Sequence, residues 1–223
     1  MKLTLAHWQQ KIEECGVLAV ITIDDIKDAV PTVKALLEGG INGIELTLRT
    51  PVALQALKAI REEVPEMFVG LGTLIMPEQV DGAIETGADF AVSPGINLCV
   101  IKAIKEKNLP FAPGIMTPSD IELGIEHGFR LFKYFPAESA GGLKHLETIA
   151  SPYQHLGVKF IPLGGINSFN FSAYLSHPLV AAIGGSWIAT QSLIKAKAWA
   201  TIKNNAKEAC KIKNEIGKIN TLI

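Results

Sequence analysis

Cysteine is scarce in this chain, and the three that occur, Cys15, Cys99 and Cys210, stand far apart and odd in number. They lay out no disulfide framework, so a reduced, cytoplasmic setting is expected. An excess of one charge is also missing: 21 Lys and Arg oppose 22 Asp and Glu. That balance argues against nucleic acid or an anionic membrane as the main partner. No apolar run is long enough to span a bilayer. The opening stretch MKLTLAHWQQKIEECG is interrupted by His7, Gln9, Gln10 and Lys11 and carries no cleavage pattern, so no signal peptide is expected. The five histidines, His7, His127, His145, His155 and His177, show no close pairing with each other or with the cysteines, so no metal site is expected. Ser139, in AESAGG, lacks the Gly-x-Ser-x-Gly setting of a nucleophile elbow. No Gly-x-Gly-x-x-Gly follows the first strand-like run, which speaks against an open dinucleotide-binding sheet.

What the chain does have is apolar material, 48% of its 223 residues, arranged in alternation. Short β-rich runs recur at Val17 to Ile23, Gly43 to Leu48, Met67 to Thr73 and Asp89 to Pro94. They continue at Leu109 to Gly114, Arg130 to Pro136, Lys159 to Gly165 and Val180 to Ser186. A helical pattern follows each, as βα units require. Helix starts are expected at Thr50-Pro51, Pro77 and Thr117-Pro118, with stops at Gly87 and Gly128. About eight units in one chain predict a single domain, 1–223, folded as an α/β (β/α)8 TIM barrel. The rival is an open doubly wound sheet. A short amphipathic helix with Leu5, Trp8 and Ile12 on one face precedes the barrel, and a basic C-terminal helix follows it. That last helix reads as a solvated face, with a partner-binding tail as the alternative.

In RLFKYFPAE, Lys133 interrupts a run that should be buried. Parity puts Leu131, Lys133 and Phe135 on one face and the aromatics Phe132 and Tyr134 on the other. If the aromatics meet the helices, Lys133 points inward, and a buried ammonium needs a partner or a purpose. As a neutral amine it is a nucleophile toward a carbonyl; as a cation it is half of a structural ion pair. In GIELTLRTP the same parity turns Glu45 inward and Ile44 and Leu46 outward, with Arg49 at the strand's end. A nucleophile, a proton carrier and an anion clamp can be read from these three. PLGGIN and IGGSW end the last two strands, and Gly-rich turns there, leading into helix N-termini, can offer N–H groups to a phosphate.

The stretches IELTLRTP, GLGTLIMPEQ, AVSPG, APGIMTPSD, FKYFPAE, PLGGI and IGGSW occur in the order and spacing of a known family. By them the chain resembles the 2-keto-3-deoxy-6-phosphogluconate (KDPG) and 4-hydroxy-2-oxoglutarate (KHG) aldolases, from about Gly16 to Trp187. The resemblance implies a barrel assembled as a homotrimer and class I aldol cleavage without a metal or other cofactor. It implies that Lys133 forms the Schiff base with a 2-keto acid and that Glu45 is the general acid and base, acting through water. Arg49 and Thr73 would hold the pyruvate carboxylate, Pro94 and Phe135 would pack around the pyruvyl group, and Gly164, Gly165 and Ser186 would bind phosphate. The expected reaction gives pyruvate and glyceraldehyde 3-phosphate, a step of the Entner–Doudoroff pathway. Cleavage of KHG to pyruvate and glyoxylate is the alternative, with oxaloacetate decarboxylation on the side. Two departures stand out: Leu163 replaces a threonine common in gluconate-type enzymes, and the run VLAVITI lacks an arginine some relatives use near the phosphate. Readings from other classes are a phosphate-binding isomerase or epimerase with Glu45 as base, and a non-catalytic binding protein.

Overall fold

The computed structural model describes residues 5–220, and side chains from 7 to 217. The chain runs α1 (Leu5–Cys15), β1 (Val17–Ile21), α2 (Ala29–Glu38), β2 (Gly43–Thr47), α3 (Ala53–Glu63), β3 (Phe68–Gly72), α4 (Glu78–Glu85), β4 (Phe90–Val92) and α5 (Leu98–Lys107). It continues with β5 (Phe111–Ala112), β6 (Gly114–Ile115), α6 (Pro118–Glu126), β7 (Leu131–Tyr134), α7 (Gly142–Ala150), β8 (Lys159–Pro162), α8 (Phe171–Leu175), β9 (Ile183–Gly185), α9 (Gln191–Lys195) and α10 (Trp199–Asn220). Every strand pair is parallel. One sheet has the order β5-β4-β3-β2-β1-β9 and a second has β6-β7-β8. The molecule is thus an α/β fold whose parallel strands curl into a half-barrel.

The expected fifth run is divided at Pro113, which has no N–H to give to a ladder. Its carbonyl still accepts from Lys133 N at 2.9 Å. At the far edge, Phe160 bridges Val180 ahead of β9.

Alternation along the strands builds two apolar layers. Ile44, Leu46, Phe132 and Tyr134 pack outward with the helices. Leu18, Phe68, Phe90, Leu131 and Ile161 fill the concave side. Trp8 and Ile12 of α1 join that inner cluster, and Trp8 stacks on Phe90 at 6.0 Å. Leu5, expected on the same face, has its side chain outside the described residues.

Two expectations need correcting. Helix α3 begins at Ala53 and has no side-chain cap, because the Thr50 hydroxyl donates to Ile23 O at 2.6 Å instead. The Thr117-Pro118 start does hold, with a capping box closed by Asp120. The basic α10 is not wholly solvated: Ile202, Ala206 and Ala209 are buried, and Ala206 occupies the space where Gly39 lacks a Cβ. No described helix is long and apolar enough to cross a membrane.

Candidate active site

Lys133 is the third residue of β7 and Glu45 the third of β2. These strands lie in different sheets, so the two side chains meet across the concave face. Lys133 Nζ donates to Glu45 Oε1 at 2.8 Å, with side chains 4% and 2% exposed. Desolvating two such charges is costly, and one short contact offsets only part of it. The arrangement therefore holds an amine and a carboxylate together, away from bulk water, and a proton can pass between them over that contact.

One glycine makes room for the pair, and a second lets a neighbouring turn approach it. Thr47 lies in register with Gly72, and a Cβ on Gly72 would sit 2.0 Å from Glu45 Oε1. Gly114 lies in register with Lys133, and a Cβ there would sit 2.3 Å from the carbonyl carbon of Pro94. Pro94 is thereby placed beside the lysine's strand. The Phe135 ring stands 5.4 Å from Lys133 Nζ and also meets Gly164, forming an apolar wall.

Arg49 follows β2 and is exposed; its Nε donates to Thr73 Oγ1 at 3.3 Å. Thr73 has φ +65°, a left-handed conformation that is costly for a β-branched residue and is retained where the surroundings demand it. It directly follows Gly72, so Arg49, Thr73, Gly72, Glu45 and Lys133 form one connected chain of contacts.

The Gly-rich segments differ from expectation. Gly164 and Gly165 form a turn with φ +94° and +83°, but α8 begins only at Phe171. Gly184 and Gly185 belong to β9, and α9 begins at Gln191, beyond an exposed Ser186. Neither turn runs straight into a helix N-terminus. The two segments are joined by Leu163, whose side chain fills the space over Gly184.

Sequence reasoning missed several participants. Gly72 sat unremarked in GLGT, where no local pattern shows that a carboxylate comes from another strand. Thr47 is fully buried, with its hydroxyl 2.8 Å from that of Thr22. Its parity with Glu45 was the available signal. Ser93 Oγ donates to Gly95 O and accepts from Gly114 N, bracing the Pro94 turn.

A separate cavity of about 620 Å³ opens at the other end of the strands, lined by Trp8, Asn108, Phe111 and Arg130 and by neither Lys133 nor Glu45. Arg130 in its lining donates to Ile125 O and Phe129 O. Among the described residues, no three His, Cys, Asp or Glu side chains gather as a metal ion would require.

The KDPG and KHG aldolase family model matches residues 8–205. The KHG/KDPG aldolase of Escherichia coli K12 is 43% identical over 209 residues, 92% of this chain and 97% of that protein. A crystal structure of the KDPG aldolase of Legionella pneumophila, with pyruvate captured as a covalent carbinolamine, superposes with TM-score 0.85 and 38% identity, covering 89% of this chain and 96% of that one. The Zymomonas mobilis ZM4 KDPG aldolase with 3-phosphoglycerate gives TM-score 0.82 and 39% identity, covering 90% and 94%. With a buried lysine and glutamate paired on that fold, this chain belongs to the KDPG and KHG aldolase family.

Proposed function

We propose that this chain is a class I aldolase that cleaves 2-keto-3-deoxy-6-phosphogluconate to pyruvate and glyceraldehyde 3-phosphate. The observation that carries the reading is the buried 2.8 Å contact between Lys133 and Glu45. The Lys133 amine attacks the C2 carbonyl to give a carbinolamine, which loses water to become an iminium. Glu45 takes the C4 hydroxyl proton. The C3–C4 electrons then move into the iminium, leaving an enamine in place of a bare carbanion, and the aldehyde departs. Glu45 returns the proton to C3, and water releases pyruvate from Lys133.

Arg49 and Thr73 suit the pyruvate carboxylate: a guanidinium at the rim beside a hydroxyl fixed by an unusual backbone. Pro94 and Phe135 flank the pyruvyl group, and Gly164, Gly165 and Ser186 receive the distal phosphate. The imine is carried by the protein's own lysine, and the mechanism calls on no metal or other cofactor.

The reading includes a single domain over 1–223 and a closed (β/α)8 barrel. Support for closure comes from the Pro113 carbonyl meeting Lys133 N and from the Phe160–Val180 bridge at the other seam. A cytoplasmic homotrimer acting in the Entner–Doudoroff pathway completes it. Ile75, Met76, Leu98 and Met116, all large and exposed, are apolar surface that a neighbouring subunit can cover.

KHG is the alternative aldol substrate, giving glyoxylate, and oxaloacetate decarboxylation can pass through the same enamine. Leu163, 4% exposed and packed on Gly184, favours giving KHG weight, because it offers the distal part of a sugar acid no hydroxyl.

Incubation with pyruvate followed by borohydride and peptide mass mapping tests the reading. One reduced pyruvate on Lys133 is the expected result. A folded protein with no adduct on Lys133 overturns it.

Gly72→Ala tests the geometry independently. Its methyl group collides with the Glu45 carboxylate and forces it off Lys133. A displacement on that scale costs about 100-fold in turnover. Steady-state cleavage near the wild-type rate in this variant removes the argument that Gly72 sets the carboxylate.

A further inference from the structure

We infer that Asn167, Asn170 and the Tyr174–Glu138 pair are positioning residues that set the Gly164–Gly165 turn and with it the preference for a phosphorylated aldol substrate. The inference rests on the assignment of that turn to the phosphate.

A backbone turn receives an anion only when its N–H groups face the ligand and its carbonyls are turned elsewhere. Three successive carbonyls are engaged here. Leu163 O accepts from Ala137 N at 2.7 Å, and Gly164 O accepts from Glu138 N at 3.0 Å. Gly165 O accepts from two side-chain amides, Asn167 Nδ2 and Asn170 Nδ2, each at 3.1 Å. In a trans peptide the N–H points opposite to the C=O. Fixing the carbonyls of Leu163 and Gly164 on the 137–138 segment therefore turns the N–H groups of Gly164 and Gly165 away from that segment.

The asparagine orientations follow from their other contacts. Asn170 Oδ1 accepts from Asn167 N at 2.8 Å, and Asn167 Oδ1 accepts from Phe169 N at 2.9 Å. With both oxygens occupied by backbone donors, both NH2 groups are left to donate to Gly165 O. Helix α8 has only five residues, so its dipole is a minor contributor, and the side-chain amides close the turn by fixing the Gly165–Ile166 peptide, next to the two held by Ala137 and Glu138.

Glu138 is the second brace. Its Cβ lies 2.5 Å from where a Cβ of Gly165 would stand, so its stem packs directly on the turn. A free carboxylate in that place would repel a phosphate. Tyr174, 2% exposed, donates its hydroxyl to Glu138 Oε1 and holds the carboxylate against α8. Burial, then the bond to Glu138, push the Tyr174 hydroxyl well above the usual tyrosine range, which keeps it a donor.

Tyr174→Phe and Asn170→Ala test the inference, each confirmed folded by thermal melting. KM for the phosphorylated substrate and the competitive inhibition constant of inorganic phosphate are expected to rise about tenfold, equivalent to about 1.4 kcal/mol. The kcat on that substrate and the kcat/KM on unphosphorylated KHG are expected to hold within about twofold. Unchanged phosphate inhibition in both variants, or equal losses on both substrates, overturns the positioning role while the phosphate assignment stands. A wild-type enzyme that inorganic phosphate does not inhibit competitively overturns the phosphate assignment itself, and this inference with it.

Discussion

Lys133→Ala is expected to abolish aldol cleavage, lowering turnover by about 10⁴-fold or more, and to lose the borohydride-trapped pyruvate adduct. Among the described residues Lys133 is the one buried lysine, so no second amine stands where it can replace the imine. The same substitution carries a separate cost in stability. It leaves the Glu45 carboxylate buried without its partner, and breaking such a pair from one side costs about 3–5 kcal/mol. At this chain length each kcal/mol lowers Tm by about 2–4 °C. The double variant Lys133→Met/Glu45→Gln removes both charges and is expected to regain most of that stability with none of the activity. Measuring Tm and trapping on the same samples separates chemistry from folding. A single variant that keeps most of its turnover sinks the Schiff-base mechanism; a double variant no more stable than the single one sinks the account of the pair's burial.

The inward pointing of this pair was legible because strand parity is a two-letter code. Ile44 and Leu46 bracket Glu45, and Phe132 and Tyr134 bracket Lys133; once the apolar members meet the helices, the charged ones must face the concave side. Their partnership was not legible that way, since 88 positions separate them and periodicity assigns a face without assigning a neighbour. Reading the two with Arg49 as one constellation, and then the family resemblance, joined them in advance. Contacts that depend on three dimensions were lost for the same reason. Gly72 matters because a carboxylate from β2 occupies its missing Cβ, and Thr50 fails as a helix cap because Ile23 O competes for its hydroxyl. The asparagine locks on Gly165 are local in sequence, yet their direction depends on which backbone amides their oxygens find first. The split of the fifth strand at Pro113 was legible in the sequence, since proline has no N–H to give to a ladder.

Glu45→Gln isolates proton transfer from the rest of the site. The glutamine oxygen can still accept from Lys133, so the lysine stays in place and the concave face stays filled. What disappears is a group that can take a proton and return it. Carbinolamine and imine formation with pyruvate should survive at reduced rate, because attack by the amine does not itself require a carboxylate. Cleavage should fall by about 10²–10⁴-fold, the span expected when a positioned general acid and base is removed. Exchange of the pyruvate methyl protons with deuterated water should fall with it, since C3 of the enamine is protonated by the same group that serves the C4 hydroxyl. The two readouts discriminate among mechanisms. Turnover within about tenfold of wild type takes Glu45 out of the reaction altogether. Lost cleavage with normal exchange confines it to the hydroxyl proton and assigns the C3 proton to another group. Parallel losses with trapping retained are the result that the 2.8 Å contact predicts, because one carboxylate held against one amine has to serve both protons in turn.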